Sequence, residues 1–334
     1  MPTGPSVEPS GYAPLRGAAA WGEMPPRAIV DATGPDAVAF VDRFATAALH
    51  GLRPGQGGET LFTDARGWVL ALATVLVRDV GLEIDIGPAP RTPIDQHLEH
   101  YHIRERVEFR DATDRFASFL VAGPAAPDAL ARLAPPPTAA FDHVSAPIGN
   151  LPVRITRVGW FDAVEAFVLR VPTPAAATVR RWLGETGLPE ASAAALEVLR
   201  IESRYPGSLD IDGKTLPQEL DRPPRTISFA KGCYLGQETV ARLDALGHVN
   251  RRLTLVASAG PSAPAAGTPV LVDGTESGVV TSSCLSPLHG GPLSMCILHQ
   301  RGQAPGATIT VAGREARLVP APSRARRDHG GGPS

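Results

Sequence analysis

The sequence predicts an α+β protein in two parts, an α/β body followed by a small antiparallel β-barrel or sandwich, and three observations predict it. A chain of 334 residues has room for two separate hydrophobic cores. A unit of short apolar strand, small residue with an adjacent proline, and helix recurs three times before residue 190. Near residue 250 the pattern changes to short β-like runs broken by glycine and proline.

In the first unit AIVDAT runs into Gly34 and Pro35 and then DAVAFVDRFATAAL. Pro35 suits the first helical turn, Asp36 complements its positive end, and Val38, Val41, Phe44 and Ala48 are assigned to the buried face. In the second, FASFLVA leads through Gly123 and Pro124 into a weaker helix that stops before Pro135, Pro136 and Pro137. In the third, FVLRVP is followed by Thr173 as cap, Pro174 at the first helical position, and AAATVRRWLGETG, ended by Gly187. A further helix over about 190–203 carries Ala195, Val198, Leu199 and Glu202 on one side, putting a carboxylate at the edge of the core. Beyond the boundary, LTLVA, PVLV, SGVVTS, SMCILH, TITVA and ARLV read as the strands of the second domain. The domains expected are 21–249 and 250–320, with the termini 1–20 and 321–334 disordered.

Lys and Arg number 32 against 34 Asp and Glu, and no run of five like charges occurs, so nucleic acid is not an expected partner. No 18 apolar residues run together and the first residues form no apolar leader, so a soluble protein with no membrane association is expected. Three cysteines, Cys233, Cys284 and Cys296, match no two-pair zinc framework, and their odd number suits a reducing, cytoplasmic setting. No metal site is expected, and His97, His100 and His102, in a charged amphipathic stretch, are read as solvent-facing.

The segment KGCYLGQETVAR at 231–242 carries the chemistry. It joins TISFA, read as a short strand, to GQETVARLDAL, read as a helix. Gly232 and Gly236 permit backbone geometry that a side chain forbids. Cys233 lies two positions from Lys231 and just before the helix, so a positive charge and a helix N-terminus both favour its thiolate. Glu238 falls in the first helical turn and is spaced to pair with Arg242. Cys284 and Cys296 fall in apolar runs and are assigned to the core.

KGCYLGQE matches the KGCYxGQE signature of the YgfZ/GcvT folate-binding family at every fixed position. ATGPDAVAF, TDARGWVLA and ALEVLRIESRYP also resemble segments of that family, and the likeness covers about residues 28–320. The resemblance implies three α/β subdomains around a central channel for tetrahydrofolate, followed by a β-barrel. It implies that Glu202 contacts the pterin, that Tyr234, Gln237, Glu238 and Arg242 take part in cofactor binding, and that Cys233 and Lys231 are the catalytic pair. On the YgfZ side of the family the implied role is iron–sulfur cluster assembly or repair, with assembly proteins or client enzymes as partners. Two alternatives stand beside it. One is aminomethyl transfer, disfavoured because Leu70 and Ala71 occupy the positions where the transferase needs a carboxylate. The other is a non-catalytic interaction protein that has lost folate.

Overall fold

The structure, a computed structural model, describes residues 8–88, 92–161, 163–303 and 306–321. The chain opens with helix α1 (Tyr12–Gly17) and strand β1 (Ala20–Glu23). It continues through β2 (Ala28–Thr33), α2 (Ala37–Asp42), β3 (Gly57–Thr63), β4 (Val69–Val77), β5 (Leu82–Gly87), α3 (Ile94–His100) and β6 (Glu108–Asp111). A second pass gives β7 (Phe116–Ala122), α4 (Ala126–Ala131), β8 (His143–Ile148), β9 (Leu151–Arg157), β10 (Ala166–Pro172) and α5 (Ala176–Glu185). Helices α6 (Ala193–Glu202), α7 (Pro223–Thr226) and α8 (Gln237–Leu246) lead to β11 (Arg251–Ser258), β12 (Pro269–Val272), β13 (Thr275–Ser286), β14 (Gly291–His299), β15 (Ile309–Val311) and β16 (Arg314–Val319).

The strands form two five-stranded sheets, ordered β3-β4-β5-β2-β6 and β1-β7-β10-β9-β8, and a closed barrel ordered β11-β14-β13-β12-β15-β16. All six barrel strands coincide with the β-like runs read from the sequence. Strands β2 and β7 hold equivalent places, second from a sheet edge, and each turns through Gly-Pro into a short helix. The glycine is required at both turns. Gly34 and Gly123 have φ of 120° and 124°, and a Cβ there would lie 2.1 Å from the Arg106 carbonyl oxygen and 2.4 Å from that of Ala18, where the chain approaching the edge strand crosses the turn. The third unit is not a further copy of this arrangement, because β10 pairs with β7 in the same sheet. Thr173 does not cap its helix; its hydroxyl donates to the Asp114 carbonyl oxygen at 2.8 Å.

Each sheet is apolar toward its helices. Leu82, Ile84 and Ile86 of β5 pack with Phe40 and Val41 of α2 and with Leu98 of α3. Helix α2 buries Ala37, Phe40 and Val41 and ends at Asp42, while Ala48, expected on its buried face, is exposed beyond it. Phe167, Leu169 and Val171 of β10 pack with Val179 and Leu183 of α5. The opposite faces of the sheets meet each other. The alternate positions of β5, Glu83 and Asp85, pair there with Arg170 of β10 and Arg154 of β9. A third core joins α1, α6 and the outer face of the barrel, so β11 buries Leu253 and Leu255 toward the body and Val256 inside the barrel.

The expectation of a disordered 1–20 fails for the part described. Tyr12 and Leu15 of α1 are 5% and 0% exposed and belong to this third core, which outweighs the Pro- and Gly-rich composition. Residues 1–7 and 322–334 lie outside the described residues. TISFA is not a strand: Pro223–Thr226 form one helical turn and the following residues carry no ladder. Among the described residues, no helix is long and apolar enough to cross a membrane.

Candidate active site: a cavity under helix α6

A cavity of about 650 Å³ opens where α6, the end of β1, β4 and the segment 205–211 converge, and Ser282 of the barrel also reaches it. This volume is typical of small-molecule sites. The walls are mostly apolar and aromatic, with Leu70, Ala71 and Leu72 from β4, Leu120 from β7, and Trp160, Phe161 and Tyr205.

The aromatic wall is held rigidly. Trp160 stacks on Tyr205 with ring centroids 5.3 Å apart and 28° between planes. The guanidinium of Arg27 lies 4.7 Å from the Trp160 ring and that of Arg222 lies 5.1 Å from Tyr205, so a cation caps each end of the stack. Both cations are anchored: Arg27 Nε donates to Asp85 at 2.8 and 2.9 Å, and Arg222 Nε donates to Glu59 at 2.9 Å. Trp160 Nε1 donates to Thr74 Oγ1 at 3.0 Å, which satisfies the indole. Burial, reinforced by the Glu59 carboxylate, pushes the Tyr205 phenol well above the ordinary tyrosine range, so it stays protonated.

The polar side of the cavity comes from α6 together with Glu23 of β1, Arg27, Ser208 and Ser282. Glu197 lines it with 49% of its side chain accessible, and Arg200 donates from Nε and NH2 to the two Glu197 oxygens at 2.8 and 2.7 Å. Ala193, Leu196, Glu197 and Arg200 form the cavity stripe of the helix, whereas Glu202 lies outside it. Its side chain is fully buried between α1 and the barrel. There Tyr12 donates to its oxygens at 2.9 and 2.8 Å and Ser286 Oγ at 2.5 Å. Burial and the Glu202 carboxylate push the Tyr12 phenol upward, which keeps it a donor. Helical spacing placed Glu202 beside Val198 and Leu199, and that is the face turned from the cavity.

The signature lies elsewhere. None of Lys231, Gly232, Cys233, Tyr234, Gly236, Gln237, Glu238 and Arg242 lines the cavity. Cys233 is exposed, while Cys284 and Cys296 are buried, as expected of them. The Lys231 ammonium is engaged at the end of α2, where it donates to the carbonyl oxygens of Asp42, Ala45 and Ala47 at 2.6, 2.8 and 2.9 Å. Tyr234 is buried against Ile227 and Val240, with the Lys231 ammonium 5.5 Å from its ring, and burial pushes its phenol up to about 12. Among the described residues, Glu238 and Arg242 form no ion pair and both are exposed. His97 differs from the solvent-facing reading, since it packs edge-on to Phe44 and burial lowers its pKa.

Of the two signature glycines only Gly236 is conformationally required. Its φ is 82°, and a Cβ there would lie 2.5 Å from the Asp64 carbonyl oxygen. Gly236→Ala is therefore expected to destabilise the protein by about 1–3 kcal/mol in chemical denaturation. Gly232→Ala, where a Cβ meets nothing within 4 Å, is expected to change stability by no more than about 0.5 kcal/mol.

The GCVT N-terminal domain model matches residues 14–223, and that of the glycine cleavage T-protein C-terminal barrel domain matches residues 250–323. The protein named "Putative transferase At1g60990, chloroplastic" from Arabidopsis thaliana is 26% identical over 84% of this chain, and the chain spans 65% of its length. An aminomethyltransferase of Rubrobacter xylanophilus is 26% identical over 90% of this chain and 82% of its own. The tRNA-modifying protein YgfZ of Colwellia psychrerythraea is 39% identical, but over 79 residues, 23% of this chain and 24% of its own. The comparisons thus support the broader family and not its YgfZ branch. The crystal structure of the glycine cleavage system aminomethyltransferase T from Bartonella henselae superposes with a TM-score of 0.80 at 18% identity, covering 93% of this chain and 87% of that one. Two family domains in consecutive order, on a fold of two sheets and a closed barrel, identify the chain as a member of the glycine cleavage T-protein family.

Proposed function

We propose that the cavity binds tetrahydrofolate and that the protein serves iron–sulfur cluster assembly or repair, with Cys233 as its functional thiol, and does not transfer aminomethyl groups. The observation that sets this reading against aminomethyl transfer is the apolar β4 wall. Leu70, Ala71 and Leu72 line the cavity there, and none of them can accept or donate a proton.

The residues present fit a reduced folate. The stacked aromatic wall suits a flat ring system. Glu197 offers a half-exposed carboxylate whose remaining lone pairs suit the paired N–H donors of a pterin edge, taking the role first assigned to Glu202. Bound tetrahydrofolate would supply nitrogens able to carry one-carbon units. The chain's own contribution is to stack the ring, orient its edge and exclude water. Cys233 stands outside the cavity and exposed, which suits a thiol offered to a partner protein better than one acting on the bound folate. The transferase reading is favoured by the Rubrobacter aminomethyltransferase, which aligns over 315 residues.

Calorimetry with tetrahydrofolate tests the site. Binding by the wild-type protein and a loss of about 10-fold or more in Glu197→Ala are expected, the effect of removing a hydrogen bond to a charged group. Undetectable wild-type binding would exclude the folate reading, and a Glu197→Ala protein that binds normally would exclude this carboxylate. Glycine-cleavage assays should show no methylene transfer, and robust turnover would establish the transferase instead. A folded Cys233→Ser variant is expected not to restore iron–sulfur enzyme activity in cells lacking the endogenous factor, so full rescue would remove the thiol from the proposal.

A further inference from the structure

The cavity wall and the barrel are joined by a continuous set of hydrogen bonds with a buried carboxylate at its centre. Asp210 is 0% exposed and lies between α6 and β13. One of its oxygens, Oδ2, accepts from Arg200 NH1 at 2.8 Å and from the Gly207 amide at 2.8 Å. The other accepts from two barrel hydroxyls, Ser282 Oγ at 2.8 Å and Thr281 Oγ1. Arg200 NH1 also donates to the Tyr205 carbonyl oxygen at 2.6 Å, so one end of the guanidinium is pinned to the segment that carries the aromatic wall. The rest of the fork holds Glu197.

We propose that Asp210 is a positioning residue through which the barrel sets ligand recognition. Thr281 and Ser282 fix Asp210, Asp210 fixes the Arg200 fork, and Arg200 aims the Glu197 carboxylate into the cavity. This deepens the folate reading and rests on it for the identity of the ligand. An arginine side chain is free to populate many rotamers, and a carboxylate at the helix surface follows whichever it adopts. Four N–H···O bonds to three partners remove that freedom before the ligand arrives, which lowers the ordering cost of binding. Because the set ends on barrel residues, recognition of the ligand edge depends on a domain that, among the described residues, contributes Ser282 alone to the cavity lining. By linkage, a ligand that engages Glu197 must in turn tighten the barrel against the body.

The test is a double-mutant cycle on the full chain with tetrahydrofolate as probe. Asp210→Asn and Glu197→Ala are each expected to weaken binding about 10-fold, and the double variant no more than either alone, because both remove the same oriented carboxylate. Losses that multiply to about 100-fold would show that Asp210 acts only through general stability, and would overturn the relay. Amide exchange at Thr281–Ser283 is expected to slow on ligand addition in the wild type and to stay unchanged in Asp210→Asn; equal slowing in both would also overturn it. Where Asp210→Asn does not fold, Ser282→Ala enters the same cycle with the same expected non-additivity. If the wild type binds no tetrahydrofolate, the folate reading falls, and the relay is then judged by exchange of the Arg200 Nε proton. Slow exchange in the wild type and at least 10-fold faster exchange in Ser282→Ala would retain it, and equal rates would end it.

Discussion

Arg170→Met is expected to lower stability by about 3 kcal/mol or more, measured by urea unfolding of the whole chain. Arg170 is 4% exposed and bridges the two sheets, its guanidinium paired with Glu83 and Asp85 of β5. Removing it leaves those carboxylates in the interior with Arg27, Arg154 and, at 4.0 Å, Arg78 as the remaining partners, which places the loss at the lower end of the range for breaking a buried ion pair. The exposed pair of Arg110 and Glu108 provides the control, since Arg110→Ala should change stability by less than about 0.5 kcal/mol. An Arg170→Met protein as stable as the wild type would show that the inter-sheet charges are indifferent.

The same network sets the acid response. Burial works to raise the pKa of Asp85, but Arg27 and Arg170 overcome it and hold the carboxyl well below the ordinary range; Arg170 and Arg154 do the same for Glu83. With folded-state values depressed, the stability these groups contribute is fully present above their unfolded values, near pH 4, and is lost as pH falls through the folded ones. In Arg170→Met, where the depression shrinks, the acid-dependent part of the stability should be smaller.

The second large effect is expected at Lys231. Its side chain is 4% exposed and its ammonium sits among three carbonyl oxygens and, at 3.1 Å, the Asp42 carboxylate. The Asp42 carbonyl belongs to the last turn of α2, where backbone acceptors have no helical partner, and those of Ala45 and Ala47 follow in the chain leaving the helix. Lys231→Met removes the ammonium from the three carbonyls and leaves the Asp42 carboxylate with only the Leu49 and His50 amides as donors, at 2.6 and 3.2 Å, at a cost of about 2–4 kcal/mol. Lys231→Arg should recover little of this, because a planar fork does not fit a cage built around a point charge. The loss should be greatest locally, with faster amide exchange at Leu235, whose N–H is bonded to the Arg43 carbonyl oxygen. A Lys231→Met protein of wild-type stability with Leu235 protected as before would return the lysine to the thiol.

Local signals in the sequence agree with the structure where local physics decides. The barrel strands, the Gly-Pro turns after β2 and β7 and the helix from Gln237 to Leu246 follow from turn chemistry and backbone restriction, which neighbours in the chain impose. The buried Cys284 and Cys296 also fell where their apolar surroundings in the chain placed them. Composition misled at α1, because Pro and Gly describe a preference for disorder and Tyr12 and Leu15 bury enough apolar surface to override it.

The site itself was legible only in part. The sequence by itself determined that Cys233 lies between two glycines just before a helix and that the 69–77 segment is an apolar strand. The expected place of the thiol at the mouth of a folate cavity did not follow, since Cys233 is not among the cavity residues. Only the tertiary structure decided that Lys231 closes a helix end, that Glu197 and not Glu202 faces the cavity, and that Glu83 and Asp85 are interior. GLEIDIG alternates as a strand with one solvated face would. Whether such acids meet water or arginine depends on Arg154 and Arg170 of the second sheet, 71 and 87 residues along the chain from Glu83.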